Sequence, residues 1–417
     1  MYEKANSKLI KTLNEIRLLN LIREVGPISR NELARRSQIS KVAVSDIINR
    51  LNEAGFILEI GKGKSTSKGG KRPTLLKLNP DNGYVIGIEI KRRTTIIALA
   101  NLESEIKSTA RLKYPIGASI DMVVPEIFRK IESLFKKHHY DLDKLISIGI
   151  GIPGFVEYSK GELSFADTLQ GWANLPLASR FLEHFNVPII IENDVNTITL
   201  GESLIGAGRG KSNLVCIWLG EGIGAGIIVD QRLVRGETGT AGEIGYLELG
   251  YYLQNNASIR HLYSEQRYFG EILSEVNLLE ALTCLKLTSK SNGSELAVLE
   301  ALLAEGDHGN QSVQKVLDEY AYLLAIICTN FIKTINPSLI ILCGRVIDHS
   351  NYLVNKVREL VKHNMRHIPF QSSSITVSEL KKEAGVKGAI ALALQTIFEP
   401  PVTRRKNVTN HRIIKNL

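Results

Sequence analysis

Cysteine is scarce in this chain. Its four copies, Cys216, Cys284, Cys328 and Cys343, lie far apart and never as a CxxC pair, which argues against a disulfide framework or a thiolate-held metal. Each stands among apolar neighbours, so buried free thiols are expected. Long apolar runs are missing as well. The best candidate, AYLLAIICTNFI over 321–332, is broken by Thr329 and Asn330 and falls short of the roughly 18 residues that span a bilayer. A buried helix is the expectation there. The opening MYEKANSKLIK lacks the apolar centre of a secretory signal, so a cytoplasmic protein is expected. Excess charge is absent from most of the length: beyond residue 80, basic and acidic residues balance at 36 each.

All of the surplus lies in residues 1–80, which carry 16 basic and 7 acidic residues, a net of +9. Such a segment suits a module that neutralises phosphates, although a solvated basic face would look the same. Its pattern separates the two. Leu18, Leu21, Ile22 and Val25 recur at helical spacing, predicting a helix over 13–25 that Gly26-Pro27 ends. Ser29 and Glu32 have capping-box spacing and open a short helix running to about Ser37. Ser40 caps a third, with Val44, Ile47, Ile48 and Leu51 facing inward and Gly55 as its stop. The other face of that helix presents Lys41, Val42, Ser45, Asp46, Asn49 and Arg50. Short polar side chains beside basic ones suit a helix lying in the major groove, with Arg30 and Ser40 at its margin.

Phe56–Ile60 and Thr74–Leu78 read as paired strands around GKGKSTSKGGKRP. That hairpin interleaves Lys62, Lys64, Lys68, Lys71 and Arg72 with glycine, as a backbone-following wing would. GPISRNELA, the serine-led third helix and GGKRP together resemble the winged helix-turn-helix of the ROK family (repressors, open reading frames and kinases). Lys71 stands where the resemblance places an arginine, keeping the charge without the planar fork.

From Tyr84 the chain reads YVIGIEI and then KRRTTIIALAN, two strands joined by a turn, and LVCIWLGEGIGAGIIVD repeats the pattern about 130 residues later. Helical stretches follow at 121–137 and 312–335, with further strands at Pro188–Glu192 and Leu339–Cys343. This implies a duplicated α/β body with a cleft between halves. GIGIPGFV (149–156), ENDVNTITLGE (192–202), LGEGIGAGII (219–228), GTAGEIGY (239–246) and NPSLIILCG (336–344) fall in the order found in ROK sugar kinases, and the resemblance runs from residue 1 to about 398.

The fold it implies is a multidomain α+β and α/β chain: a winged helix-turn-helix over 1–80, then a two-lobed actin-like body of the sugar-kinase type. Lobe one is expected over 81–200, completed by 381–398, and lobe two over 201–380. The basic tail 399–417 is expected to be mobile.

The same resemblance places ATP-phosphate glycines and a threonine in the first hairpin, where this chain has Glu89-Ile90-Lys91-Arg92-Arg93. Side chains there block the close approach that glycine allows. Glu221 stands where the second phosphate loop carries a threonine, and a carboxylate facing a triphosphate is unfavourable. We therefore expect no ATP cofactor and no catalytic residue. The sugar side is better kept: Asn193 and Asp194 fall on the pair that binds sugar hydroxyls, Asp194 in the place of the kinase base, with helix capping as its alternative role.

Glu243 falls on a further sugar-contacting glutamate, and Glu265 on another. Tyr246 occupies the place of a histidine that holds a structural zinc. The cysteines that should follow are absent and His261 alone cannot hold the ion, so zinc is expected to be missing. Tyr246, Tyr251 and Tyr252 either stack on a sugar ring or fill the space the metal loop leaves.

These readings imply a repressor of carbohydrate uptake or catabolism genes. Its partners would be double-stranded operator DNA and a sugar effector, with no membrane. Closure of the lobes would respace the heads of a homodimer or homotetramer on a palindromic operator. A sugar kinase with a regulatory DNA-binding head is the alternative, and a factor answering to a protein partner is a third. Xylose, glucose and N-acetylglucosamine derivatives all fit the resemblance; xylose regulation rests on it alone.

Overall fold

The computed structural model describes residues 7–63, 72–166, 168–248, 268–285, 294–367 and 373–399. Two compact units divide the chain: residues up to Glu192 together with those from Ala389 onward, and Asn193–Gly388.

The first unit begins with α1 (Ser7–Val25), β1 (Ile28–Ser29), α2 (Arg30–Ser37), α3 (Lys41–Glu53), β2 (Ile57–Lys62) and β3 (Thr74–Leu78). The strands pair in the order β1-β3-β2, completing a winged helix-turn-helix. Its capping follows the serines: the Ser29 hydroxyl accepts from Glu32 N–H and the Ser40 hydroxyl from Ala43 N–H, both at 3.2 Å. The Glu32 carboxylate bonds Arg35 and Arg36, which hold it down at about 2. Val44, Ile47, Ile48 and Leu51 are buried as their spacing required. On α1 the inward stripe is Leu18, Leu19 and Ile22, while Val25 is 40% exposed. The helix also starts earlier than expected and its face is turned by one position.

The same unit holds β4 (Tyr84–Ile90), β5 (Thr94–Asn101), β6 (Ile106–Lys113), α4 (Ile120–Lys137), β7 (Leu145–Ile152), the hairpin β8 (Phe155–Glu157) and β9 (Glu162–Phe165), α5 (Leu177–Phe185) and β10 (Ile189–Asn193). Its main sheet runs β10-β7-β4-β5-β6, with β4 antiparallel to β5 and parallel to β7. The core between this sheet and α4 and α5 is Ile86, Ile88, Ile127, Ile131, Phe135 and Phe181.

The second unit repeats that topology. After α6 (Asp194–Ile205) come β11 (Leu214–Leu219), β12 (Ile223–Val229), β13 (Arg232–Leu233), β14 (Leu339–Cys343) and β15 (Ser374–Val377), in the order β13-β12-β11-β14-β15. Here β11 is antiparallel to β12 and parallel to β14, as β4 is to β5 and β7. The long helix Gln311–Ile335 buries its apolar stripe, including Leu317, Leu324 and Ile327, in the core of this unit. Three cysteines are buried as expected, and Cys216 lies 2.8 Å from Cys343 across adjacent strands. Cys284 departs from expectation: it caps a short helix, Glu275–Thr283, and is exposed.

The terminal helix, Ala384–Phe398, crosses from one unit to the other. Within the second unit a Cβ on Gly388 would stand 1.9 Å from the Thr197 carbonyl of α6. Only glycine permits this backbone approach. Within the first unit Ser147 of β7 donates to the Ala393 carbonyl at 2.9 Å. The end of the helix meets the head: Asn20 Nδ2 donates to the Phe398 carbonyl at 2.8 Å, and the Arg23 guanidinium lies 3.9 Å over the Phe398 ring. No described helix is long and apolar enough to cross a membrane.

Candidate functional site

Two groups of polar side chains stand out, one on the head and one at the start of the second unit. On the head, the phase of α3 is set by its buried stripe, so Lys41, Val42, Asp46 and Asn49 are exposed and Ser45 half-buried. Val42 is 73% exposed, an apolar tip of the kind that meets a thymine methyl. Ser40 is already engaged as the cap. Lys62 and Arg72 are exposed at the base of the wing; Lys64, Lys68 and Lys71 lie outside the described residues.

Two arginines expected to face DNA are tied into the protein. Arg50 donates from Nη2 and Nε to Glu15 Oε1 at 2.6 and 3.2 Å, pinning α3 to α1. Arg30 Nη1 donates to Asn49 Oδ1 at 2.9 Å and Ser45 Oγ at 3.4 Å, and its Nη2 to Glu59 Oε1 at 3.4 Å. It joins α2, α3 and β2. Sequence spacing alone gives no sign of these pairs, since each closes across elements.

At the start of the second unit, Asn193, the last residue of β10, caps α6. Asn193 Oδ1 accepts from the backbone N–H groups of Val195 at 2.9 Å and Asn196 at 3.2 Å, and Asp194 Oδ1 also accepts from Val195 N–H at 2.9 Å. The capping role is therefore real and shared by both side chains. It aligns them at the N-terminal end of α6.

Glu243 precedes the short 3-10 turn Ile244–Tyr246, in a segment held against β12. Ala225 N–H donates to the Gly242 carbonyl at 2.9 Å, and Gly242, at φ +92°, lies where a Cβ would strike the Ala225 carbonyl. α6 packs on β12 through Gly226, which leaves no room beside Thr199 for a side chain. Burial pushes the Glu243 carboxyl up to about 7, and the charge of Asp194 adds to the push. A carboxylate, an amide and a carboxyl titrating near neutrality supply acceptors and donors together, as vicinal hydroxyls require.

Three of the expected sugar residues, Asn193, Asp194 and Glu243, are thus brought to one place. Tyr246 follows on a short 3-10 turn, 53% exposed, its ring edge-on to Tyr268 at 6.2 Å. Glu265, Tyr251, Tyr252 and His261 lie outside the described residues. The zinc implied by the resemblance does not fit what is present. A phenol replaces the imidazole, and residues 247–267 contain no cysteine.

The two hairpin turns carry charge where the resemblance implies phosphate contacts. Glu89 is buried and paired with Lys91 at 2.8 Å. Burial pushes its carboxyl up against the pull of that lysine. Glu221 is exposed at the tight β11–β12 turn, where Gly220 N–H donates to the Gly222 carbonyl at 2.9 Å. Arg345, after Gly344, is salt-bridged to Glu300 at 2.6 Å. Arg92 lines a small hollow with Tyr114, Thr168, Gln170 and Trp172. The Thr168 hydroxyl is buried there without a hydrogen-bond partner. These last residues sit in an irregular loop that periodicity does not reach.

Comparison with known proteins gives these features a context. The ROK family profile matches residues 85–396 and a MarR family profile matches 12–61. The xylose repressor of Caldicellulosiruptor bescii is 30% identical over 407 residues, covering 95% of this chain and 99% of that protein. A crystal structure of a ROK family transcriptional regulator, a homologue of the E. coli Mlc protein, superposes with a TM-score of 0.79. It is 22% identical, over 94% of this chain and 97% of its own. A ROK family glucokinase from Streptomyces griseus, solved with glucose and AMPPNP, gives 0.62 at 23% identity, over 75% of this chain and all of its own. A winged helix-turn-helix head followed by two repeats of one sugar-kinase-type sheet completes the pattern, and the chain belongs to the ROK family.

Proposed function

We propose that this protein is a DNA-binding transcriptional repressor of carbohydrate genes whose operator affinity is set by a sugar held at Asn193, Asp194 and Glu243. One observation carries the reading: the similarity to a xylose repressor runs through head and body together, over 95% of the chain. Xylose is accordingly the first effector to test. The head supports the reading with an exposed polar face on α3 and basic residues at the wing. The body supports it with a polar cluster suited to hydroxyls.

Phosphoryl transfer is not part of the proposal. Lys91 closes onto Glu89 where a triphosphate would need open backbone, and Glu221 would repel it. The kinase reading draws on the glucokinase likeness, which is one of fold. Two copies reading a palindromic operator complete the proposal, since a two-fold protein places its recognition helices in symmetric half-sites.

The test is gel-shift titration of the full chain on duplexes from its own promoter region, with and without xylose, glucose and N-acetylglucosamine. Sugar-dependent loss of operator binding is expected. Saturable sugar phosphorylation with ATP, abolished by Asp194→Ala, would overturn the reading in favour of a kinase.

A further inference from the structure

Arg30 engages the side-chain oxygens of two residues on the outer face of α3. A guanidinium carries only donors. The Asn49 atom facing Arg30 Nη1 at 2.9 Å is therefore its oxygen. Ser45, one turn earlier on the same stripe, also receives Arg30 Nη1, at 3.4 Å, on its hydroxyl oxygen. The guanidinium itself is anchored on the far side by Glu59 of β2 at 3.4 Å. Asn49 is exposed, so its amide N–H groups are what it turns outward.

This matters because asparagine reads adenine only with both ends of its amide. Its oxygen accepts from N6–H while its nitrogen donates to N7. With the oxygen turned onto Arg30, the two N–H donors are what face a base edge, and the edge that offers two adjacent acceptors is guanine, through N7 and O6. Resting on the proposed DNA-binding function, we propose that Arg30 is a positioning residue that polarises the recognition helix. Asn49 then reads guanine by donation and not adenine by a bidentate pair. Ser45 is turned the same way, its hydroxyl hydrogen available to an acceptor.

The test is selection of binding duplexes from a randomised pool by the full-length protein, with wild type, Asn49→Ala, Asn49→Asp and Arg30→Met compared. The position whose preference disappears in Asn49→Ala is expected to be guanine in each half-site for wild type. Replacing that base with 7-deazaguanine should weaken wild type roughly 5- to 150-fold, the range for one specific base contact, and leave Asn49→Ala unchanged. Asn49→Asp keeps the acceptor for Arg30 but has no N–H to give, so it too should lose the guanine. Arg30→Met releases the amide oxygen, and adenine should gain at that same position.

A folding defect in Arg30→Met would show as a lowered melting temperature, and the Asn49→Asp result then decides alone. Adenine at the position in wild type, with affinity lost when its N6 amino group is removed, overturns the proposal. So does an Asn49→Ala profile unchanged at every position. Failure of the wild type to select any duplex at low salt would instead overturn the DNA-binding reading beneath it.

Discussion

At Glu243, burial and the charge of Asp194 both favour the proton, raising the group from 4.5 to about 7. The folded protein therefore holds a proton that the unfolded chain gives up at lower pH. The resulting stability is present below about 4.5 and is lost as pH rises through 7. We predict that the melting temperature falls between about pH 5 and 8, and that Glu243→Gln flattens this slope. Equal slopes would contradict the assignment. Arg50 carries a second prediction. Its bond to Glu15 makes it structural, so Arg50→Ala should cost about 1–3 kcal/mol in denaturant unfolding, and weaken DNA binding less than Lys41→Ala does. The outward residues of α3 were legible because Ser40 and the four apolar positions fix the helix phase. The fates of Arg30 and Arg50 were not, since each partner arrives from another element.

The terminal helix makes close contacts near both of its ends. Its Gly388 lies against the α6 backbone, and its Phe398 holds Asn20 and Arg23 of α1. A methyl at Gly388 has no space, and forcing it in should cost upwards of 1–3 kcal/mol. We predict a lower melting temperature for Gly388→Ala, measured by calorimetry; an unchanged value would mean the helices are not so close. Phe398→Ala removes a cation–π contact of about 0.5–2 kcal/mol. It should loosen the head, seen as faster proteolysis near residue 79, while sugar binding is unchanged.

The strands of both hairpins and Leu339–Cys343 were readable because apolar β-branched runs sit between turn residues. β6 was not. Its IKSTARLK is an edge strand with alternating polar residues, and no apolar run marks it. The hairpin β8–β9 is only a few residues long, below the length at which periodicity speaks.

For the whole molecule, the separation of charge is the feature that governs partners. The surplus of +9 confined to residues 1–80 calls for a strongly salt-dependent interaction with nucleic acid. Replacing Lys71 and Arg72 by alanine should weaken binding to every duplex and reduce the salt slope by about 2; a sequence-selective loss would place the wing elsewhere. The duplicated sheet was visible as two similar hairpins, and the proposed sugar cluster as ENDVN and AGEIG. The geometry that joins them, glycine-mediated packing of α6 on β12, is long-range and leaves no local mark.

The most direct measurement is operator affinity of the full chain by fluorescence anisotropy, with and without xylose, for wild type and Asp194→Ala. Sugar should weaken wild-type binding roughly 5- to 150-fold, whereas Asp194→Ala should bind operator as tightly but ignore the sugar. An Asp194→Ala protein that still responds fully, or a wild type indifferent to every sugar, would contradict that expectation.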